Sequence, residues 1–195
     1  MLYLLPFIII ALTVHEFAHA FTAYKLGDET PKMQGRVTLN PIAHLDALGT
    51  LMIVLSMLAG FGIGWGKPVS FNPYNLKHPK RDTGIIAAAG PISNILMALV
   101  GFLFLIINNY YLISSLAVSF ILMNIVLAIF NLIPIYPLDG FNVVLSLLPK
   151  NLSEQFAQTA KYGMYVLLLL VITGATRVII NPVIEFVMKI IRVII

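Results

Sequence analysis

The sequence predicts an all-α polytopic membrane protein, a helical bundle of about four to six membrane segments with a short re-entrant or β-like element between the first two core spans. The chain is 59% hydrophobic and only 10% charged, whereas soluble domains are nearer a quarter charged. Its mean hydropathy is +0.95. Apolar runs long enough to cross a bilayer alternate with polar stretches. We expect a single membrane-embedded domain over residues 1–195, with a core at about 1–148 and C-terminal apolar helices at 162–195.

The charge pattern favours a lipid bilayer as partner and excludes a nucleic acid. The formal net charge is +4, but the basic residues lie between the apolar runs and do not form one stripe. Cysteine is absent, so thiolate ligands and disulfides are excluded. Any bound metal must therefore be held by His, Asp, Glu or water.

The first third of the chain predicts one span and one ambiguous element. Residues 1–24 form the first span, in which Glu16 is the only charged residue. Residues 25–46 are polar and punctuated by Gly and Pro, which predicts interfacial loop structure with a possible short strand at 36–39. Residues 48–65 are apolar but interrupted by glycines, which is typical of either a second span or a re-entrant element.

The remainder predicts two clear spans followed by shorter apolar pieces. The spans cover residues 84–107 and 112–133, and the second ends where Pro134 and Pro137 stop a regular helix. A short apolar piece at 141–148 and a polar stretch at 149–161 follow. The apolar segments 162–176 and 178–195 end the sequence, and the last is either a span or an interfacial helix.

The chemistry of the chain is expected at His15, Glu16 and His19, an H-E-x-x-H pattern inside the first span. Residues four apart share one face of a helix, so the two imidazoles can bind one metal ion. Glu16 lies beside them as the candidate catalytic base, the arrangement of a zinc hydrolase. An ionisable residue within a membrane segment is costly, which favours a functional reading over a chance match.

A third ligand is expected because catalytic zinc sites usually have three protein ligands. Of the remaining carboxylates, Asp139 and Glu185 have apolar surroundings. Glu185 lies four residues before Lys189, so a helical ion pair explains it. We therefore expect Asp139 to be the ligand, with a helix cap or turn before Gly140 as the alternative.

The three ligands also constrain the topology. His19 and Asp139 lie toward the C-terminal ends of their segments, so those two spans must run in the same direction with one crossing between them. Residues 48–65 should then enter and leave on one face. Under that arrangement all Lys and Arg residues up to 161 lie on one side, which the positive-inside rule identifies as cytoplasmic. We expect a multi-pass cell-membrane protein with the site nearer its cytoplasmic face.

Taken together, these motifs resemble those of the site-2 proteases, the intramembrane zinc metalloproteases. The resemblance covers residues 10–145 and rests on the H-E-x-x-H pattern and on N-x-x-P-x-x-x-x-D-G from Asn131 to Gly140. Further anchors are G-R-V-T-L-N-P at 35–41, W-G-K-P-V at 65–69 and G-P-I-S-N at 90–94.

The resemblance implies one zinc ion bound by His15, His19 and Asp139, with Glu16 as catalytic base. It also implies cleavage of a transmembrane protein or peptide, with Asn94 and Asn131 near the bound substrate. No appended PDZ or CBS domain is expected, and no span is expected before the H-E-x-x-H helix.

Two other functions remain open from the residues themselves. One is a metal-binding membrane chaperone or partner without proteolysis, which the intact Glu16 disfavours. The other is a metal-ion transporter, since intramembrane His and Asp can mark ion pathways. Asn94 and Asn131 can alternatively form interhelical hydrogen bonds. His44, a loop residue beside Asp46, is more typical of a polar interface than of a metal ligand.

Overall fold

The computed structural model describes residues 4–59, 64–107 and 111–194, and the regular elements in these ranges are helices. The predicted all-α class is confirmed. In chain order the helices are α1 (Leu5–Lys25), α2 (Thr30–Met33), α3 (Ala47–Ala59), α4 (Pro79–Ile107), α5 (Tyr111–Asn131), α6 (Asp139–Leu147), α7 (Lys150–Ala157), α8 (Ala160–Ile172) and α9 (Thr176–Ile194).

Three of these helices are long and apolar enough to cross a membrane: α1, α4 and the 114–131 part of α5. A fourth crossing arises if α7 and α8, which meet at 60°, are counted as one broken span. Such helices satisfy their backbone hydrogen bonds internally, as lipid requires. The chain is therefore a multi-pass membrane protein.

Helices α1, α4 and α5 form the frame around the site. Residues His19 and His15 of α1 contact Ile86 and Asn94 of α4 in turn, so those two helices are antiparallel. Asn94 and Gly101 of α4 face Asn124 and Ile121 of α5, so that pair is antiparallel as well. It follows that α1 and α5 run in the same direction, and this prediction is confirmed.

Helix α3 belongs to a hairpin whose two ends meet. The helix has 13 residues, too few to cross a bilayer. Leu45 before it and Gly66 after it form an isolated antiparallel bridge, and Lys67 N donates to His44 O at 2.8 Å. The segment therefore enters and leaves at one end of the bundle, as expected for a re-entrant element. Residues 60–63, including two of its glycines, lie outside the described residues.

The short strand expected at 36–39 is not formed, and these residues are irregular. Buried side chains take the place of a neighbouring strand. Arg36 donates to Ala43 O at 2.6 Å and to Lys67 O, and His44 Nε2 lies 2.7 Å from Thr38 O. Because these side chains satisfy the carbonyl groups of the loop, no β ladder is needed there.

The C-terminal helix α9 packs on the frame through one side. Val187 and Ile191 are buried against a cluster from α4 and α5 that includes Leu105, Ala117 and Ile121. Among the described residues Glu185 and Lys189 form no ion pair, so the helical pair expected from their spacing is absent. Helix α9 carries four charged residues and is not among the candidate spans.

Asp28 ties the loop after α1 to the segment before α4. Its carboxylate is fully buried and accepts from Thr30 N and Oγ1, Asn72 N and Asn75 Nδ2 at 2.6–3.1 Å. Burial alone would raise the pKa of Asp28, but the hydrogen bonds from Thr30, Asn75 and Asn72 outweigh it and hold the pKa below its usual value.

We expect Asp28→Asn to lower the free energy of unfolding in detergent by about 2–3 kcal/mol near neutral pH, because the amide cannot accept all four donors. Because the pKa of Asp28 is lower in the folded state than in the unfolded state, the carboxylate stabilises the fold at pH values above the unfolded pKa of about 3.9. That stabilisation is lost as the pH falls through the folded-state pKa. The gap between wild type and variant should therefore narrow below about pH 4. Glu29→Gln, at the exposed neighbouring carboxylate, is the control. A pH-independent gap would contradict this account.

Candidate metal centre

Three candidate ligand atoms converge where α1 meets the start of α6. The Nε2 atoms of His15 and His19 are 3.1 Å apart. Asp139 Oδ2 lies 3.1 Å from the first and 3.3 Å from the second. Ligands bound about 2.0–2.1 Å from a tetrahedral zinc ion are about 3.3 Å from one another. The triangle thus has the dimensions of one face of a zinc coordination sphere.

The hydrogen bonds behind the two imidazole rings direct their free nitrogens to the centre of this triangle. His19 Nδ1 lies 2.7 Å from Ile86 O, which only accepts, so Nδ1 carries the hydrogen and Nε2 of the neutral ring carries the lone pair. His15 Nδ1 has the matching contact, 2.6 Å from Asn94 Oδ1.

Such outer partners are typical of metal-bound histidines. Asp139 Oδ2 is buried and has no hydrogen-bond donor among the described residues. Three acceptor atoms that face one another without a hydrogen between them are the donor set that a divalent cation fits.

Two glycines allow the ligands to approach this closely. A Cβ at Gly90 of α4 would lie 2.3 Å from His19 Nε2 and 2.7 Å from His15 Cε1. A Cβ at Gly140 would lie 2.2 Å from Leu132 O, at the end of α5. The first glycine lets α4 pass directly against the Nε2–Cε1 edges of the imidazoles. The second lets α6 begin against the end of α5, which places Asp139 beside them.

Glu16 lies next to this triangle on α1, with its own set of partners. Its Oε2 accepts from Val69 N at 3.1 Å and lies 3.9 Å from Arg36 Nη2. The Glu16 side chain is 12% exposed and that of Arg36 only 4%. The carboxylate is therefore held, at low solvent exposure, by the chain that leaves the α3 hairpin and by a buried guanidinium.

The structure brings together four of the residues predicted from the sequence, His15, Glu16, His19 and Asp139. His44 lies apart from the triangle and is buried in the hairpin loop. Asn131 lies at the end of α5, and its amide donates to Leu127 O of its own helix at 3.0 Å.

Asn94 lies behind His15, with no exposed surface. Its oxygen faces the imidazole and its amide faces Ala11 O and Asn124 Oδ1. These contacts all lie within the protein, and a place for Asn94 and Asn131 near a bound substrate stays a prediction.

Sequence reasoning missed Arg36 and Asn124 as parts of the site. The available signal for Arg36 was its place inside the G-R-V-T-L-N-P anchor at 35–41. Asn124 was visible as a lone amide in the middle of an apolar span, a placement that is costly without a partner. Neither pattern says which distant side chain the residue contacts.

Comparison with known proteins gives a consistent family. The model of Peptidase family M50 matches residues 107–171, which include Asp139. The chain is 39% identical over 181 residues to "Putative zinc metalloprotease YwhC" of Bacillus subtilis, covering 88% of this chain and 80% of that protein. It is 28% identical over 171 residues to "Putative zinc metalloprotease Rip2" of Mycolicibacterium smegmatis, covering 86% of this chain and 65% of that protein.

The related Rip2 of Mycobacterium tuberculosis strain H37Rv is 26% identical over 166 residues, covering 83% of this chain and 63% of that protein. The chain therefore spans under two thirds of the length of the mycobacterial relatives. No solved structure matches the chain.

Proposed function

Because the chain belongs to peptidase family M50, the site-2 protease family, we propose that it is a zinc-dependent intramembrane endopeptidase. It hydrolyses peptide bonds in or near the transmembrane segments of membrane proteins. The observation that carries this proposal is the convergence of His15, His19 and Asp139 within 3.1–3.3 Å, with Glu16 beside them. A carboxylate at that position is what separates a hydrolase from a site that only binds metal.

The depth of the site supports a membrane-embedded substrate. Along the axis of α1, His15 lies about 15 Å and His19 about 21 Å from Leu5. Both residues therefore lie within the helix that meets the criteria for a span. A peptide bond that reaches them must enter the bundle from the membrane or from its border.

Each residue of the site has a separate role in the proposed hydrolysis. His15, His19 and Asp139 would hold the zinc ion, which would polarise a peptide carbonyl and make nearby water more acidic. Glu16 takes a proton from the attacking water and passes it to the leaving nitrogen as the C–N bond breaks. The products are a carboxylate and an amine. Val69 N and Arg36 keep the Glu16 carboxylate in place before the substrate arrives.

The orientation that fits this function puts the site toward the cytoplasm of a cell-membrane protein. The two ends of the α3 hairpin meet at the site end of the bundle. The basic residues up to position 161 then lie at that end, as the positive-inside rule requires. These residues are Lys25, Lys32, Arg36, Lys67, Lys77, Lys80, Arg81, Lys150 and Lys161.

The direct test is cleavage of a single-span model substrate by the full chain reconstituted in liposomes. We expect cleavage that stops when zinc is removed by a chelator and returns when zinc is added, with the cut bond mapped by mass spectrometry to the span or its border. A soluble peptide with the same scissile sequence should be cleaved far more slowly. Cleavage that survives chelation, or no cleavage by protein that demonstrably holds zinc, would reject the proposal. In the second case zinc flux into the liposomes would identify a transporter.

Arg36 gives a further prediction. We expect Arg36→Lys to lower the rate of cleavage about 10–100-fold. Arginine donates to Ala43 O and Lys67 O from two separate nitrogens, and the single nitrogen of lysine cannot occupy both positions. Each lost charged hydrogen bond costs about 1.5–3 kcal/mol. Arg81→Lys is the matched control, since the Arg81 side chain is 64% exposed. Zinc content should be unchanged in both. Equal rates for the two variants would show that Arg36 does not position Glu16.

A further inference from the structure

A chain of buried amide groups runs from α5 through α4 to His15. Asn124 Nδ2 donates to Phe120 O at 2.9 Å, and Asn124 Oδ1 accepts from Asn94 Nδ2 at 3.0 Å. Asn94 Nδ2 also donates to Ala11 O at 3.1 Å. Asn94 Oδ1 lies 2.6 Å from His15 Nδ1. Both asparagines have no exposed surface.

The direction of each hydrogen bond in this series is fixed by the main-chain carbonyl groups that the amides contact. The carbonyl oxygens of Phe120 and Ala11 only accept, so both amide nitrogens must point toward them. The two amide oxygens then point the other way, and that of Asn94 faces His15. A ring nitrogen that faces this oxygen must carry a hydrogen, which leaves the lone pair of the neutral His15 ring on Nε2.

The two candidate histidines therefore depend on different groups. His19 is oriented by the main-chain carbonyl of Ile86, which no side-chain substitution removes. His15 is oriented by a side chain, and that side chain is itself oriented by a second one. Asn131 of the same helix shows the alternative, since within the described part of the chain its amide bonds only to Leu127 O of its own helix. The cross-helix contact of Asn124 is thus not a general consequence of an Asn in α5.

We infer that Asn94 and Asn124 are positioning residues that hold His15 with its Nε2 lone pair toward the metal. Asn94 acts directly, and Asn124 acts through Asn94. Helix α5, which has no member in the ligand triangle, thereby contributes to metal affinity. The inference rests on the proposed zinc site and adds to it two residues that touch neither metal nor substrate.

The test is the affinity of the purified full chain for Zn²⁺, measured by competition with a chromophoric chelator. We expect Asn94→Leu to weaken zinc binding about 10–100-fold, as loss of an outer-shell partner does. Asn124→Leu should weaken it by a smaller factor, since Asn94 keeps its bond to Ala11 O. Asn131→Leu is the matched control and should bind zinc as the wild type does.

A double-mutant cycle separates this role from general damage to the helix bundle. If Asn124 acts through Asn94, the double variant should bind zinc no more weakly than Asn94→Leu alone. Additive losses would overturn the inference. So would an Asn124→Leu variant that binds zinc as tightly as Asn131→Leu.

A smaller substitution covers the case in which Asn124→Leu does not fold. Threonine at 124 can still donate to Phe120 O within its helix but is too short to reach Asn94. We expect Asn124→Thr to lose zinc affinity as Asn124→Leu does, and wild-type affinity would overturn the inference. A wild-type chain that binds no zinc would instead reject the proposed function itself, so the two failures are distinct.

Discussion

Glu16→Gln should lower the rate of cleavage about 10²–10⁴-fold while leaving the zinc content unchanged. Glutamine has nearly the same size and can still accept from Val69 N, so the local packing is kept. It cannot take a proton from water, and it cannot pass one to the leaving nitrogen. None of the three candidate zinc ligands is altered.

The measurement pairs single-turnover cleavage with metal analysis of the same sample. Glu154→Gln, at an exposed carboxylate on α7, is the control and should cleave as the wild type does. If Glu16→Gln keeps more than about a tenth of the wild-type rate, another group is the base. If the variant loses zinc together with activity, Glu16 is needed to hold the metal site together, and the prediction that it acts only as the base is wrong.

Gly90→Ala should strongly weaken zinc binding and slow cleavage with it, although the glycine has no side-chain functional group. The added Cβ would lie 2.3 Å from His19 Nε2 and 2.6 Å from His19 Cε1. The ring cannot rotate away without breaking the bond from its Nδ1 to Ile86 O. We expect the affinity for zinc to fall at least about 100-fold, the upper range for damage to a ligand's support.

Gly101→Ala controls for the substitution itself. It lies in the same helix, and its Cβ would lie 2.7 Å from Ile121 Cγ1, an aliphatic side chain remote from the metal. It should lower stability by about 1–3 kcal/mol through overpacking but keep zinc and cleavage. Wild-type zinc affinity in Gly90→Ala would show that α4 can move back from the imidazoles, and that the close contact is not needed.

Most of the site could be predicted from the spacing of residues close together in the sequence. The pair His15 and His19 is defined by one helical turn, and Glu16 by its place between them. Asp139 could be selected because few carboxylates occur in apolar sequence. With Asp139 chosen, ligands at one depth required α1 and α5 to be parallel. The same constraint predicted that residues 48–65 enter and leave on one face.

The features that sequence reasoning missed depend on which groups meet in the folded protein. The strand expected at 36–39 followed from local β propensity, but buried Arg36 and His44 satisfy the loop carbonyls from within. The resemblance implied a place for Asn94 near the substrate, but it gave no sign of the contacts of Asn94 with His15, Ala11 and Asn124. Side chains that pair across 30 or more positions leave no periodic signal in one sequence.

The origin of the ligands in distant parts of the chain has a thermodynamic consequence. His15 and His19 lie near the start of the chain and Asp139 lies after α5, so a bound ion closes a loop of more than 100 residues, and closure of so long a loop carries a large entropic term. An ion that binds only the folded state stabilises that state by mass action. Zinc would then act as a cross-link between α1 and α6 as well as a catalytic cofactor, and the metal-free chain would be the more easily unfolded form.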